Sequence, residues 1–304
     1  MDISFSNLGG VIREIREILG ITQGELCNGI CTQSHMSKIE NGDVIPNAVT
    51  MYMISLRLGI DTSSIFNLTA SHSIDFQINF FYNIRKLIRK KEYEKVLRMI
   101  KREEHNPAFN HDTHQQFLKW NKAICTYHIS GKPKESIKML QEALHLTLQH
   151  KKFHNNQEIS ILNSIGVIYF ENKEYRNAVK VHEETLNNIK KSPFKKNLVK
   201  EQIRIYYNLA KAKTHMREFE VSVQTCEKGI HLCLDHEILY LLGELYYQVG
   251  YNYYLTTQVE ECCAYFQKAI HIFNITEQQS YISYIEKLVK EVKEDSQPTH
   301  FDTE

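Results

Sequence analysis

Proline and glycine are scarce in this chain, at 5 and 12 of 304 residues. That scarcity excludes long flexible linkers and leaves most of the chain for regular structure. The seven cysteines are odd in number and lack paired metal-ligand spacing, so neither a disulfide scaffold nor a zinc site is expected. No excess of one charge is present: 37 Lys and Arg face 36 Asp and Glu, a formal net of +1, which excludes a generally polyanion-coated or membrane-surface protein. The opening residues have no basic region and no apolar run, so no secretory signal is expected. The most apolar stretch, Ile238 to Leu255, is broken by Glu244, Gln248 and Asn252 and is not a membrane span. There is no Gly-rich phosphate loop, no nucleophile motif and no metal-spaced cluster, and His111 with His114 reads as a surface pair. An enzyme, a cofactor and a metal are therefore not expected.

What is present begins between Leu8 and Ile60. Thr22 and Glu25 stand three apart ahead of Leu26, the spacing of a capping box that starts a helix. Gly29 follows near its end. A second helix is expected from Thr32 or Gln33 to Glu40, stopped by Asn41-Gly42. Its apolar positions, Met36 and Ile39, point back at the first helix and leave Gln33, Ser34, His35, Ser37 and Lys38 outside. Small polar side chains at the front of an exposed helix, with a cation one turn on, suit a DNA major groove: Gln matches adenine's edge, while Ser and Lys reach phosphates or guanine. Leu8-Gly9, Ile12–Ile15–Arg16, Thr22-Gln23, Leu26, Gln33-Ser34, Ser37, Ile39 to Gly42, Pro46 and Leu56 to Ile60 follow in order. This segment resembles the lambda-repressor/Cro-like helix-turn-helix of bacterial regulators. It departs in a turn one residue shorter than usual, with Cys31 where glycine is expected. The resemblance and the pattern nominate Arg16, Gln23, Thr32, Gln33, Ser34, His35, Ser37 and Lys38 for DNA contact.

Charge complicates that reading. Residues 1–70 hold four cations (Arg13, Arg16, Lys38, Arg57) against seven acids (Asp2, Glu14, Glu17, Glu25, Glu40, Asp43, Asp61). Affinity for nucleic acid rests mainly on phosphate neutralisation, so a single copy should bind weakly. Gln23, at the front of its helix, is placed for a neutral phosphate contact. A homodimer reading a palindromic operator in double-stranded DNA is expected.

Beyond residue 60 the pattern becomes continuous helix-period sequence with a repeat. An aromatic followed three residues later by a small or medium residue recurs as Tyr93/Val96, Tyr175/Ala178 and Phe219/Ser222, and more weakly as Val259/Cys262. Gly166 and Tyr169 precede one instance, and Gly250 and Tyr253 another, while Trp120, Tyr127 and Ala143 mark a further unit. Units start near 77, 117, 159, 203 and 243. These marks resemble the tetratricopeptide repeat, in lengthened and degenerate form. The expected fold is all-α: a helix-turn-helix domain at 1–70, then a superhelical array of five repeats with a capping helix at 71–294, then a disordered tail at 295–304. The capping helix, Gln278 to Lys293, carries Tyr281, Ile285, Leu288 and Val292 on one face.

A stack of helix pairs makes a groove lined by the first helix of each unit, suited to an extended peptide. Side-chain amides at regular intervals would hold its backbone. Asn121, Asn163 and Asn208 fall at nearly equivalent places in three first helices, and Tyr207, Tyr247 and Tyr251 supply apolar walls. The cluster Arg85, Lys86, Arg89, Lys90 and Lys91 is a solvated face or, at the groove mouth, a seat for a peptide carboxylate.

The combination, together with Gln116-Phe117-Leu118 before Trp120, Tyr207-Asn208 with Ala210-Lys211-Ala212, and Gly243 with Leu245 to Gln248, resembles the RRNPP group of peptide-responsive regulators of Gram-positive bacteria. The resemblance implies a cytoplasmic homodimeric transcription regulator, leaning to activation, that binds a short signalling peptide in its repeat groove. It carries the peptide-contact role onto Asn163, Asn208, Arg89 and Lys91; Asn121 enters from repeat register alone. Two alternatives stay open. Control by a metabolite, or by oxidation among Cys226, Cys233, Cys262 and Cys263, would keep the DNA role, whereas a repeat-based protein adaptor would lack it.

Overall fold

The computed structural model describes residues 8–69, 72–148 and 152–294, and every regular element among them is helical. The tail expected at 295–304 and the side chain of Val292 lie outside the described residues. The chain divides into two compact units, 1–91 with 106–109, and 92–105 with 110–304.

The first unit contains α1 (Leu8–Ile18), α2 (Gln23–Cys27), α3 (Gln33–Glu40), α4 (Ala48–Leu58), α5 (Thr62–Thr69) and α6 (His72–Arg89). Leu8, Val11, Ile12 and Ile15 share one face of α1 and enter a core with Leu26, Met36, Ile39, Met51, Ile54, Leu58 and Ile65. The glycine at position 9 has a steric reason. A Cβ there would stand 2.0 Å from the Ile39 carbonyl oxygen and 2.7 Å from that of Glu40, so α1 rests directly on the backbone of α3. The expected capping box forms: the Thr22 hydroxyl accepts from the Glu25 amide at 3.2 Å, and the Glu25 carboxylate accepts from the Thr22 amide at 2.6 Å. Thr32 caps α3, accepting from the His35 amide at 3.2 Å. The shortened turn is accommodated by Gly29 at φ 71°, so Cys31 needs no left-handed backbone and packs half-buried against the core.

A 3₁₀ turn at Pro107–Phe109 also belongs to the first unit. The ring of Phe109 is fully buried 5.8, 4.9 and 5.6 Å from those of Phe76, Phe80 and Phe81. This aromatic cluster groups the Pro107–Phe109 turn with α6.

The second unit contains α7 (Tyr93–Glu103), α8 (Asp112–Ser130), α9 (Pro133–Leu148), α10 (Asn156–Glu171), α11 (Tyr175–Lys191), α12 (Val199–His215), α13 (Phe219–Asp235), α14 (Leu242–Leu255), α15 (Val259–Ile275) and α16 (Gln279–Glu294). From α8 onward each helix packs on the next, and α8, α10, α12 and α14 also touch in succession. This is the stacking of helix pairs that buries a continuous core. The repeat marks sit at its tightest points: Val96, Ala178, Ser222 and Cys262 are all fully buried. A residue with left-handed backbone opens each of these second helices, Lys91, Lys173, Arg217 and Thr257 at φ 57°, 61°, 62° and 58°. The next residue's amide closes the preceding helix, Glu174 to the Tyr169 carbonyl, Glu218 to Lys213 and Gln258 to Tyr253, each at 2.9 Å. Gly166 admits the ring of His182, which a Cβ would meet at 2.4 Å. A capping helix forms, with Ile285 and Leu288 of the expected face buried against Phe266 and Phe273; Ile282 is buried beside them, while Tyr281 is exposed and stacks on Phe273 at 4.8 Å.

Candidate functional site

Two surfaces carry the residues nominated by the sequence. On the first unit, α3 buries Met36 and Ile39 and leaves Thr32, Gln33, Ser34 and Lys38 exposed, with His35 and Ser37 half-buried beside them. The division expected from helical periodicity is therefore present: apolar inward, small polar groups and one cation outward. The Thr32 hydroxyl already serves as helix cap.

Arg16 and Gln23 are placed differently from their expected roles. The Arg16 guanidinium donates to both carboxylate oxygens of Glu40, at 2.6 and 3.0 Å, and to the Ile21 carbonyl at 3.0 Å. The Gln23 amide donates to the same Glu40 carboxylate at 2.8 Å. Arg16 is only 9% exposed and Glu40 4%. Arg16 is thus a clamp between α1 and α3 rather than a surface phosphate contact, because the buried carboxylate of Glu40 demands a bidentate cation. Other cations of this segment are also engaged. Arg57 donates to the carbonyls of Glu25, Leu26 and Asn28 at the end of α2, and Arg13 pairs with Glu17 at 2.8 Å. Lys38 has no ion pair among the described residues. The positive charge free to meet phosphate is smaller than the sequence count implies.

On the second unit, α12, α14 and α16 enclose an open cavity of about 670 Å³. Tyr207, Tyr247 and Tyr251, nominated from the sequence as apolar walls, all line it. Tyr247 stacks on Tyr251 and Phe266 at 5.9 and 5.7 Å, and burial holds the Tyr207 and Tyr247 phenols well above the usual tyrosine range. The phenols are therefore neutral hydrogen-bonding groups on flat apolar walls. Beneath them lies a fully buried polar cluster. The Gln248 amide donates to the Thr214 hydroxyl at 2.8 Å, Thr214 donates to the Asn252 amide oxygen at 2.7 Å, and Asn252 donates to Ser222 at 2.9 Å. It ties α12, α13 and α14 together, so the cavity floor is rigid.

Of the three nominated asparagines, the structure joins two. The Asn208 amide donates to the Asn163 side-chain oxygen at 2.8 Å. Asn121 instead turns back on its own helix, donating to the Phe117 carbonyl at 2.8 Å from a buried position. Arg89 and Lys91 are exposed and belong to the first unit, while the cavity belongs to the second. Sequence reasoning missed Lys211, Thr214, His215, Ser280 and Tyr284 on the cavity wall. The available signal was spacing: Lys211, Thr214 and His215 follow Tyr207 by four, seven and eight residues, the same face of one helix.

The cysteines are free among the described residues. Cys226, Cys233 and Cys262 are buried, and burial pushes the Cys233 thiol up to about 11 and that of Cys262 to about 12. Such thiols are poor nucleophiles at neutral pH. No helix among the described residues is long and apolar enough to cross a membrane.

A helix-turn-helix family model matches residues 12–65, and the RNPP family C-terminal domain matches residues 81–294. No curated protein sequence matches significantly. Among solved structures, the chain is similar to Bacillus thuringiensis PlcR in complex with the peptide PapR7 and DNA, at 26% identity and TM-score 0.74, over 93% of this chain and 99% of that one. Apo PlcR aligns at 23% identity and TM-score 0.64, over 93% and 98%. The fold is shared with the Streptococcus dysgalactiae SHP pheromone receptor Rgg2, at 16% identity and TM-score 0.65, over 93% and 99%. The RNPP match takes in well over half of the sequence and every helix from α7 to α16, and the chain belongs to the RNPP family.

Proposed function

We propose that this protein is a cytoplasmic transcription regulator that binds DNA through α3 and is controlled by a short signalling peptide held in the cavity of the repeat unit. The observation that carries the reading is the coexistence, in one chain, of an exposed polar α3 backed by a helix-turn-helix core and a tyrosine-walled cavity in a helical-repeat unit. The similar PlcR structure, which holds both a peptide and DNA, supports it.

Gln33, Ser34, Ser37 and Lys38 are the proposed base-reading and phosphate-contacting side chains. With so few free cations, one copy gives weak binding, and two copies on a palindrome supply the rest. On the repeat unit, Asn163, Asn208, Tyr207, Tyr247 and Tyr251 form the proposed peptide-contact set. Regulation is a population shift: peptide favours the DNA-competent arrangement only by binding it more tightly than the alternative. The buried, weakly acidic thiols do not favour control by cysteine oxidation.

The test is selection of random duplex DNA by the full chain, with and without the peptide fraction of spent medium from its own bacterium. Recovery of a palindrome, with affinity raised by a peptide identifiable by mass spectrometry, is the expected result. A strictly monomeric protein on its selected DNA, unaffected by any peptide fraction, overturns the proposal.

A further inference from the structure

The cavity contains a cation, Lys211, that makes no ion pair among the described residues. Helix α12 presents Tyr207, Lys211, Thr214 and His215 to it. The Lys211 ammonium lies 4.9 Å from the ring centre of Phe170 and 5.7 Å from that of Tyr207. His215 stands beside it, its ring 5.0 Å from both Phe170 and Tyr175 and stacked on the latter. Among the described residues no carboxylate reaches ion-pair distance of Lys211. Its neighbour on the same helix shows the contrast: Lys213 is held by Glu183 at 3.3 Å and Glu218 at 2.9 Å. Glu171 is the acid whose charge acts on Lys211.

Burial lowers the pKa of Lys211, and burial with the adjacent Lys211 charge lowers that of His215. Cation–π contact recovers only part of the solvation an ammonium loses on burial, and a matched anion supplies the remainder. The surrounding groups suit a carboxylate placed next to a flat side chain. Ser280 offers a hydrogen bond, and Tyr247, Tyr281 and Tyr284 offer ring faces.

Resting on the reading of this cavity as the peptide site, we propose that Lys211 receives a carboxylate of the bound peptide, which lies next to an aromatic residue seated among the tyrosines. The carboxylate is either the peptide's C-terminus or an Asp or Glu side chain. This assigns the anion-binding role inside the repeat unit, not to the Arg85–Lys91 cluster.

The test uses the full chain and three pools of random heptapeptides, read by affinity selection and mass spectrometry. One pool has free C-termini and no acidic residues, one is C-terminally amidated and contains Asp and Glu, and one is amidated and acid-free. The wild type should retain one or both acid-bearing pools at least tenfold more than the acid-free pool, and which of the two is retained identifies the source. Lys211→Gln should abolish that preference and Lys211→Arg should keep it. On the wild type itself, a retained acidic peptide should slow acetylation of Lys211 by acetic anhydride at least fivefold, a readout that needs no variant. Retention of the acid-free pool equal to the others, an acidic preference surviving in Lys211→Gln, or unchanged acetylation each overturns the assignment while leaving the peptide reading intact. Retention of no pool at all overturns both.

Discussion

The side-chain amide of Asn208 donates to that of Asn163 at 2.8 Å and so ties α12 to α10, two first helices of successive repeats. Asn163 is 9% exposed, so its amide oxygen has little water to fall back on. Asn208→Ala should cost about 1–2 kcal/mol of stability by leaving that oxygen unpaired. It should also weaken peptide binding while leaving peptide-free DNA binding unchanged. Calorimetry with the cognate peptide checks the second effect; equal affinities in wild type and variant count against these asparagines as peptide contacts. Asn163→Ala combined with Asn208→Ala should cost less than the two single changes added, because the pair is lost once.

Arg16 and Glu40 form the other decisive pair. Arg16→Met strands a buried carboxylate and should destabilise the first unit by about 3–5 kcal/mol. Arg16→Lys should rescue little, because an ammonium does not reproduce the two-pronged contact at 2.6 and 3.0 Å. Thermal unfolding followed by circular dichroism measures this. A variant that keeps wild-type stability but loses DNA affinity would return Arg16 to the DNA-contact set.

Gln33 is exposed at the start of α3, and its side chain makes no hydrogen bond among the described residues. Gln33→Ala should relax preference at one base pair per half-site by about 1–3 kcal/mol without affecting stability. Selection on duplexes randomised at each operator position reads the change. An unaltered preference at every position removes Gln33 from the reading set.

His182 packs against Gly166 with both ring nitrogens buried and without a hydrogen-bond partner among the described residues, and burial pushes it down to about 4 from an ordinary 6.5. Between those two values the unfolded chain holds a proton that the folded chain refuses. Stability therefore falls as pH drops from about 6.5 toward 4, by at most about 3 kcal/mol from this group, and is indifferent to it at higher pH. His182→Leu should flatten that part of the pH profile. Urea unfolding at pH 7.5 and 5.0 tests it: an undiminished difference between the two pH values assigns the acid sensitivity elsewhere.

Much of the fold was legible because it is written locally. The Thr22–Glu25 capping box, the buried pair Met36 and Ile39, and the small residues Ala178, Ser222 and Cys262 depend on neighbours within a few positions or on helical period. Periodicity tells which face of a helix turns inward, as at Met36 and Ile39, though on the capping helix Tyr281 of the expected face is exposed. The helix-turn-helix, the repeat pairs and the capping helix follow from them. Tyr207, Tyr247 and Tyr251, expected as apolar walls, line the cavity.

Partners were not legible. A polar side chain reads alike whether solvated or spent on a distant group, and only the tertiary structure makes that decision. Arg16 meets Glu40 across 24 residues, Gln23 meets it across 17, and Asn208 meets Asn163 across 45. Phe109, brought back onto Phe76, Phe80 and Phe81, joins a distant turn to α6, a contact no local pattern announces. By itself the sequence determined the helices, their caps, the repeat and the buried faces, all set by backbone hydrogen bonding and apolar period. Which polar groups stay free to meet a ligand was settled by packing, because every buried donor and charge must find its partner wherever the chain brings one within reach.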